Sequence, residues 1–128
     1  MRVLVPISED TASQRAVPEA VRLAGEQGEV VLASVGELPE VSEHEEDIRD
    51  ALSKRLANVA RGVTSVPVHT RIELAGDPVR GLAAIAREER VDMVLLTDEE
   101  GEVSAALRKD LAEDSRPRVP VTVVGARR

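Results

Sequence analysis

Two polar segments of this sequence have residue types that could do chemistry. Ser8, Glu9 and Asp10 directly follow an aliphatic run, where they could line a ligand pocket or cap a helix. The segment Asp98-Glu99-Glu100-Gly101-Glu102 follows another such run; it could bind a cation or a partner, or form a solvated loop. Which of these chemistries is used depends on the elements that position the two segments.

The two histidines do not form a catalytic or metal-binding pattern. His44 lies in the acidic run Ser42–Asp47, but no second His follows at helical spacing, and acidic residues suit the first turn of a helix. His69 stands alone, with no identifiable Ser or Asp partner. The chain has no Cys, which excludes disulfides and thiol catalysis. We expect no catalytic residue, no metal site and no enzymatic activity.

Composition excludes several classes of partner. The 17 basic and 24 acidic residues give a net charge of -7, which repels nucleic acids, and no aromatic residue is present to stack on a base. No apolar run approaches the roughly 20 residues of a membrane span. The sequence therefore predicts a cytoplasmic protein that neither binds nucleic acid nor inserts into a membrane. Its 128 residues fit one domain over residues 1–128.

Aliphatic runs alternate with helical segments and predict a three-layer α/β/α sandwich with a five-stranded parallel sheet. The predicted strands cover residues 3–7, 30–35, 66–74, 93–96 and 119–124, and the predicted helices begin near residues 14, 42, 78 and 103. Ser42 and Glu45 have the spacing of a capping box, and Asp77-Pro78 is a typical helix start. Prolines in the third and fifth runs favour the sheet edges. Ligands of such sheets bind at the carboxyl ends of the strands.

Five segments, in this order, resemble the universal stress protein family. They are Val3–Ile7, Ala12–Val17, Gly76–Pro78, Ile85–Leu96 and Val119–Val124. The resemblance covers the whole chain and implies a Rossmann-like fold of the adenine nucleotide alpha hydrolase-like type, with strand order 3-2-1-4-5. By family position, a ligand pocket would be formed by Ile7, Ser8, Val35 and Thr97.

The family contains members that bind ATP and members that do not, and this chain departs from the pattern of the binders. Ser8 stands where the binders have an Asp that contacts adenine. Thr97 stands at the first glycine of their phosphate loop, and Asp98–Glu102 follow as a vestigial phosphate loop. At about 6 Å and an effective dielectric of about 20, each of the four carboxylates would repel a phosphate by about 1–3 kcal/mol. We expect no cofactor, although bound Mg²⁺ could restore ATP binding by bridging the two sets of charges.

The resemblance leaves three hypotheses about function. The first is a regulatory or protective module that acts through a homodimer and an unknown protein partner. The second is a divergent protein that binds ATP or AMP, with weak ATPase activity. The third is a free-standing partner of a membrane transporter. Family members commonly dimerise through the last strand, so we expect exposed aliphatic side chains and a dimer interface at the following residues: Val119, Val121, Thr122, Val123 and Val124.

Overall fold

The protein alternates strands with helices in the order expected for an α/β sandwich. The computed structural model describes residues 1–8, 14–97, 106–109, 111 and 119–124. The strands are β1 Arg2–Pro6, β2 Glu29–Glu37, β3 Val68–Ala75, β4 Met93–Thr97 and β5 Val121–Val124. The helices are α1 Ala16–Ala24, α2 Glu45–Ala60 and α3 Pro78–Glu88. Residues 106–109 and 111 are also helical; the rest of the helix predicted over 103–114 lies outside the described residues.

All five strands are parallel and stand in the order β3-β2-β1-β4-β5, which confirms the predicted topology. β1 lies at the centre, where Val3 pairs with Val30 of β2 and with Met93 of β4. β3 and β5 are the edge strands, as their prolines predict. Each edge strand begins directly after its proline, two residues later than predicted, because proline has no N–H to give to the ladder.

Helices cover both faces of the sheet. α1 and α2 pack on one face, where Val17, Ala20 and Leu56 join Val5 and Leu32 in one buried cluster. The other face packs against α3 and the helical residues near 107. Its buried cluster contains Leu4, Val31, Leu82, Ile85, Val94, Leu107 and Leu111. Both clusters are entirely aliphatic, as a sequence without aromatic residues requires.

The helix ends show where local sequence signals hold and where they fail. The Asp77 side chain accepts a hydrogen bond from the backbone N–H of Val79 at 3.0 Å, and Pro78 is the first residue of α3, as predicted. The predicted capping box of Ser42 and Glu45 is wrong. Residues Ser42–His44 form a 3-10 turn, so α2 begins only at Glu45, and no side chain caps it.

The side chains of β5 also differ from the expectation that they are exposed. Val119 and Val121 are buried in the same cluster as Leu107 and Leu111, because one face of an edge strand still packs against a helix. Thr122 is exposed and Val123 is half-buried. Of the three β5 side chains that the structure describes, that of Thr122 is the exposed one, so a partner at this edge would meet it together with the strand backbone.

The length and apolarity of the described helices bear on the prediction that the chain does not insert into a membrane. None of them is both long enough and apolar enough to cross a bilayer.

Candidate functional site

The carboxyl ends of β1 and β2 are held together beyond the last pair of the ladder. The Ile7 backbone N–H donates to the Ala33 carbonyl at 2.7 Å. The buried hydroxyl of Ser34 donates in turn to the Ile7 carbonyl, also at 2.7 Å. These bonds use both backbone groups of Ile7, so the chain leaves β1 in a fixed direction. The sheet edge where ligands of this fold class bind is therefore well ordered at these two strands.

A cavity of about 150 Å³ lies at this edge, on the α3 face of the sheet. Ile7 and Ser8 line it from the end of β1, Ala33 and Val35 from β2, and Val79 and Leu82 from α3, together with Pro6 and Pro78. We call it the β1–β2 cavity. Among the described residues, none that lines it carries a charge. Its wall suits an apolar or uncharged group rather than a phosphate.

A second, wider hollow of about 700 Å³ lies between the end of β2 and α2. We call it the β2–α2 groove; it shares Ser8 and Val35 with the cavity and is also lined by Gly36, Glu37, Ile48, Ala51, Leu52 and Arg55. Gly36 lies where α2 crosses the strand. A Cβ atom at that position would stand 3.3 Å from Ile48 Cγ2 and 3.3 Å from Leu52 Cδ1. The groove therefore has a closely packed apolar floor.

Three of the four residues predicted for a ligand pocket come together in the β1–β2 cavity. They are Ile7, Ser8 and Val35. The fourth, Thr97, ends β4 and is almost fully buried, but it is not among the residues that line the cavity. Within the described residues its hydroxyl oxygen has no hydrogen-bond partner. The predicted vestigial phosphate loop, Asp98–Glu102, lies outside the described residues, as do Glu9 and Asp10.

The β2–α2 groove was missed by the sequence reasoning. The helical spacing of apolar residues in this part of the sequence predicts a buried stripe that includes Ile48 and Leu52, yet only Leu52 is buried and Ile48 remains half-exposed. Ala51, one position from that stripe, is exposed. A glycine near the end of β2 was the available signal, because it removes a side chain where a helix crosses.

His69 lies away from both hollows, near the amino ends of the strands. Its Nε2 atom is 3.4 Å from Glu29 Oε2, at the first residue of β2. His44 occupies the N-cap position of α2, but its side chain makes no capping hydrogen bond. Within the described residues, no group of three or more His, Asp and Glu side chains is placed to hold a metal ion.

The strongest electrostatic cluster also lies at the amino edge, where it ties α3 to the sheet. The Glu89 carboxylate accepts hydrogen bonds from Arg71 at 2.8 Å and from Arg2 at 2.9 Å. Arg2 donates a further hydrogen bond to the Glu89 backbone carbonyl at 2.6 Å. Its Nε atom also lies 2.6 Å from Glu29 Oε1. The hydrogen bond from Arg71, more than any other interaction, holds the pKa of Glu89 below its usual value. This cluster stabilises the fold and is remote from the two hollows.

Comparisons with known proteins identify the fold and the family. A family model described as "Universal stress protein family" matches residues 1–125. No curated protein sequence matches the chain significantly.

Three solved structures illustrate the likeness. A universal stress protein family member from Burkholderia pseudomallei has a TM-score of 0.75 at 19% identity, over 96% of this chain and 94% of that one. A universal stress protein from Archaeoglobus fulgidus in complex with dAMP has a TM-score of 0.61 at 18% identity, over 96% of both chains. An Arabidopsis thaliana family protein with AMP bound has a TM-score of 0.63 at 18% identity, over 99% of this chain and 92% of that one. At these identities the likeness shows the fold alone.

Proposed function

Because the chain belongs to the universal stress protein family, we propose that it is a regulatory or protective cytoplasmic module that works through homodimerisation and partner binding and does not take up ATP. The observation that carries the proposal is the sequence that follows β4. Four carboxylates, those of Asp98, Glu99, Glu100 and Glu102, stand directly after Thr97. A triphosphate needs cations or a row of backbone N–H groups, and this segment offers it like charges instead.

The β1–β2 cavity supports the same conclusion. Its volume of about 150 Å³ leaves room for a small apolar group, and the described residues that line it supply no cation for a phosphate. Val79 and Leu82, which form its α3 wall, are aliphatic. Repulsion of about 4 kcal/mol, the sum of two or three such charge pairs, would weaken an affinity about a thousandfold.

A second candidate function is the binding of a nucleotide, ATP or AMP, with weak ATPase activity where the nucleotide is ATP. The A. fulgidus and A. thaliana structures hold dAMP and AMP, respectively. The β1–β2 cavity lies at the carboxyl ends of the strands, where ligands of this fold class bind. A monophosphate carries less charge than ATP, so it would be repelled less by the acidic segment.

Native mass spectrometry of gently purified protein separates these candidates, because it reports bound mass and oligomeric state together. Spectra are recorded for the protein alone, with Mg-ATP and with AMP. We expect a dimer without a nucleotide adduct in all three samples. A stoichiometric ATP adduct would overturn the proposal, and an adduct of either ATP or AMP would support the second candidate.

The proposed partner is a protein, and a membrane transporter is one candidate. Co-purification at physiological salt, followed by identification of the bound proteins, tests the transporter hypothesis. Recovery of a membrane transporter in stoichiometric amounts would support it, and a purified dimer without any such protein would count against it.

A further inference from the structure

The β2–α2 groove has the size and the lining of a docking site. Its volume of about 700 Å³ is within the range of roughly 300–1,000 Å³ that is typical of ligand pockets. Gly36 forms its floor on the strand side, while the neighbouring Val35 side chain faces α3, and Ile48, Ala51 and Leu52 form its wall on α2. These side chains would receive aliphatic groups and exclude water from them.

Exposed aliphatic side chains extend this apolar surface beyond the groove. Leu38 is 54% exposed and Val41 is 46% exposed, and both lie in the segment that joins Glu37, a residue of the groove, to α2. Only one other large aliphatic side chain, that of Met1, is comparably exposed in the described part of the chain. Two such residues within one short segment beside an apolar groove are typical of an interaction surface.

The groove has an acidic rim at the end formed by Glu37 and the start of α2. Residues 37–50 contain seven of the chain's 24 acidic residues and a single basic one, Arg49. The acidic residues at the start of α2 are explained by the helix dipole. Glu37, which lines the groove, lies outside that first turn and is exposed. Arg55 lines the groove one turn beyond Ala51, so the negative charge is confined to the end formed by Glu37 and the start of α2.

The charge of this rim decides which class of occupant fits. Phosphates and nucleic acids would be repelled by the carboxylates. A metal ion has no adequate ligand set within the described residues. A cationic segment gains electrostatic attraction at the rim, and its aliphatic side chains gain burial in the groove.

We propose that the β2–α2 groove docks a basic peptide segment of a partner protein, in which one or two aliphatic side chains enter the groove and neighbouring Arg or Lys side chains face Glu37 and the start of α2. This inference rests on the partner-binding role proposed above and gives that role a surface and a partner chemistry. It also gives the complex a direction, since the basic end of the peptide lies over the acidic end of the groove.

A peptide-display selection against the intact wild-type protein tests the proposal, with counter-selection against Ala51→Arg. Ala51 and Ala57 are both exposed on α2, but only Ala51 lines the groove, so Ala57→Arg is the matched control. We expect the enriched peptides to carry a net positive charge and at least one large aliphatic residue. Their binding should weaken at least tenfold in Ala51→Arg and less than twofold in Ala57→Arg.

Methyl NMR with an enriched peptide locates the site. The Ile48 and Leu52 methyl signals should shift on peptide addition, and raising the salt concentration should weaken the binding. Failure to enrich peptides, enrichment of acidic peptides, or equal effects of the two Arg variants would overturn the inference. So would shifts of the same methyl groups caused by AMP or by protein concentration alone, because the occupant would then be a nucleotide or a second copy. The ATP adduct measured by mass spectrometry tests the proposed function separately.

Discussion

Replacing Glu89 by Gln tests how strongly the amino-edge cluster stabilises the fold. The carboxylate is 15% exposed and accepts hydrogen bonds from both Arg71 and Arg2. Gln keeps one acceptor oxygen, so the substitution removes one charge-assisted bond and the ionic attraction, a loss of about 2 kcal/mol. For a chain of this length that corresponds to a fall of about 8 °C in Tm.

Glu88→Gln is the matched control, since Glu88 is 58% exposed and, among the described residues, bonds to Arg71 alone. Its replacement should cost less than about 0.5 kcal/mol. Urea denaturation followed by circular dichroism measures both variants, because a chain without Trp or Tyr has no useful intrinsic fluorescence. Equal losses in the two variants would refute the reasoning that burial and the second arginine make Glu89 important.

The lowered pKa of Glu89 predicts that the stability difference between wild type and Glu89→Gln depends on pH. The pKa of Glu89 in the folded protein is lowered chiefly by its hydrogen bond with Arg71. Its contribution to stability is therefore fully present above the unfolded pKa of about 4.3 and is lost as the pH falls through the lower folded pKa. The gap between wild type and Glu89→Gln should shrink from pH 7 to pH 3. A gap that stays constant over that interval would show that the charge of Glu89 is not its source.

Five further substitutions, two of them controls, test the backbone and the dimer edge. Gly28→Ala should lower the free energy of unfolding by about 3 kcal/mol, because its Cβ would stand 2.2 Å from two backbone carbonyl oxygens. Gly76→Ala should change it little, since a Cβ at that position would have no atom within 4 Å. Thermal unfolding compares the two variants. Arg90 has a φ of 53° at the end of α3, so Arg90→Gly should stabilise the protein by about 1 kcal/mol, measured by urea denaturation, and a loss of stability would contradict this explanation. Thr122→Lys on β5 should convert a dimer into a 13.8 kDa monomer, while Thr70→Lys on the other edge strand should not; light scattering measures both masses, and a monomeric wild type would disprove the predicted dimer.

Much of the fold could be predicted because buried parallel strands need apolar side chains on both faces. The run Val3-Leu4-Val5 is fully buried at the centre of the sheet, as its uninterrupted pattern predicts. Asp77 caps α3 as predicted because its cap needs only a few adjacent residues. Ser42 fails as a cap because a 3-10 turn shifts the start of α2 by three residues, and sequence spacing does not record that shift.

The two hollows could be predicted only in part, because they depend on how separate elements cross. The sequence indicated the strand ends that carry Ile7, Ser8 and Val35. It could not place α2 over β2, so the groove beside Gly36 was missed. The burial of Val121 was missed for a related reason: its cover comes from a helix whose position a strand pattern cannot specify.

The Glu89 cluster and the groove proposed for partner docking lie at opposite edges of the sheet. The bonds of Glu89 tie the end of α3 to the amino edge, whereas Ala51 and Glu37 face the groove at the carboxyl edge. No residue is shared between the two regions, so the effects of substitutions in them should add. Glu89→Gln should lower Tm without changing peptide binding, and Ala51→Arg should do the reverse. The double variant should change the free energy of unfolding by the sum of the two single effects. A departure of more than about 0.5 kcal/mol would show that the two edges are coupled through the strands.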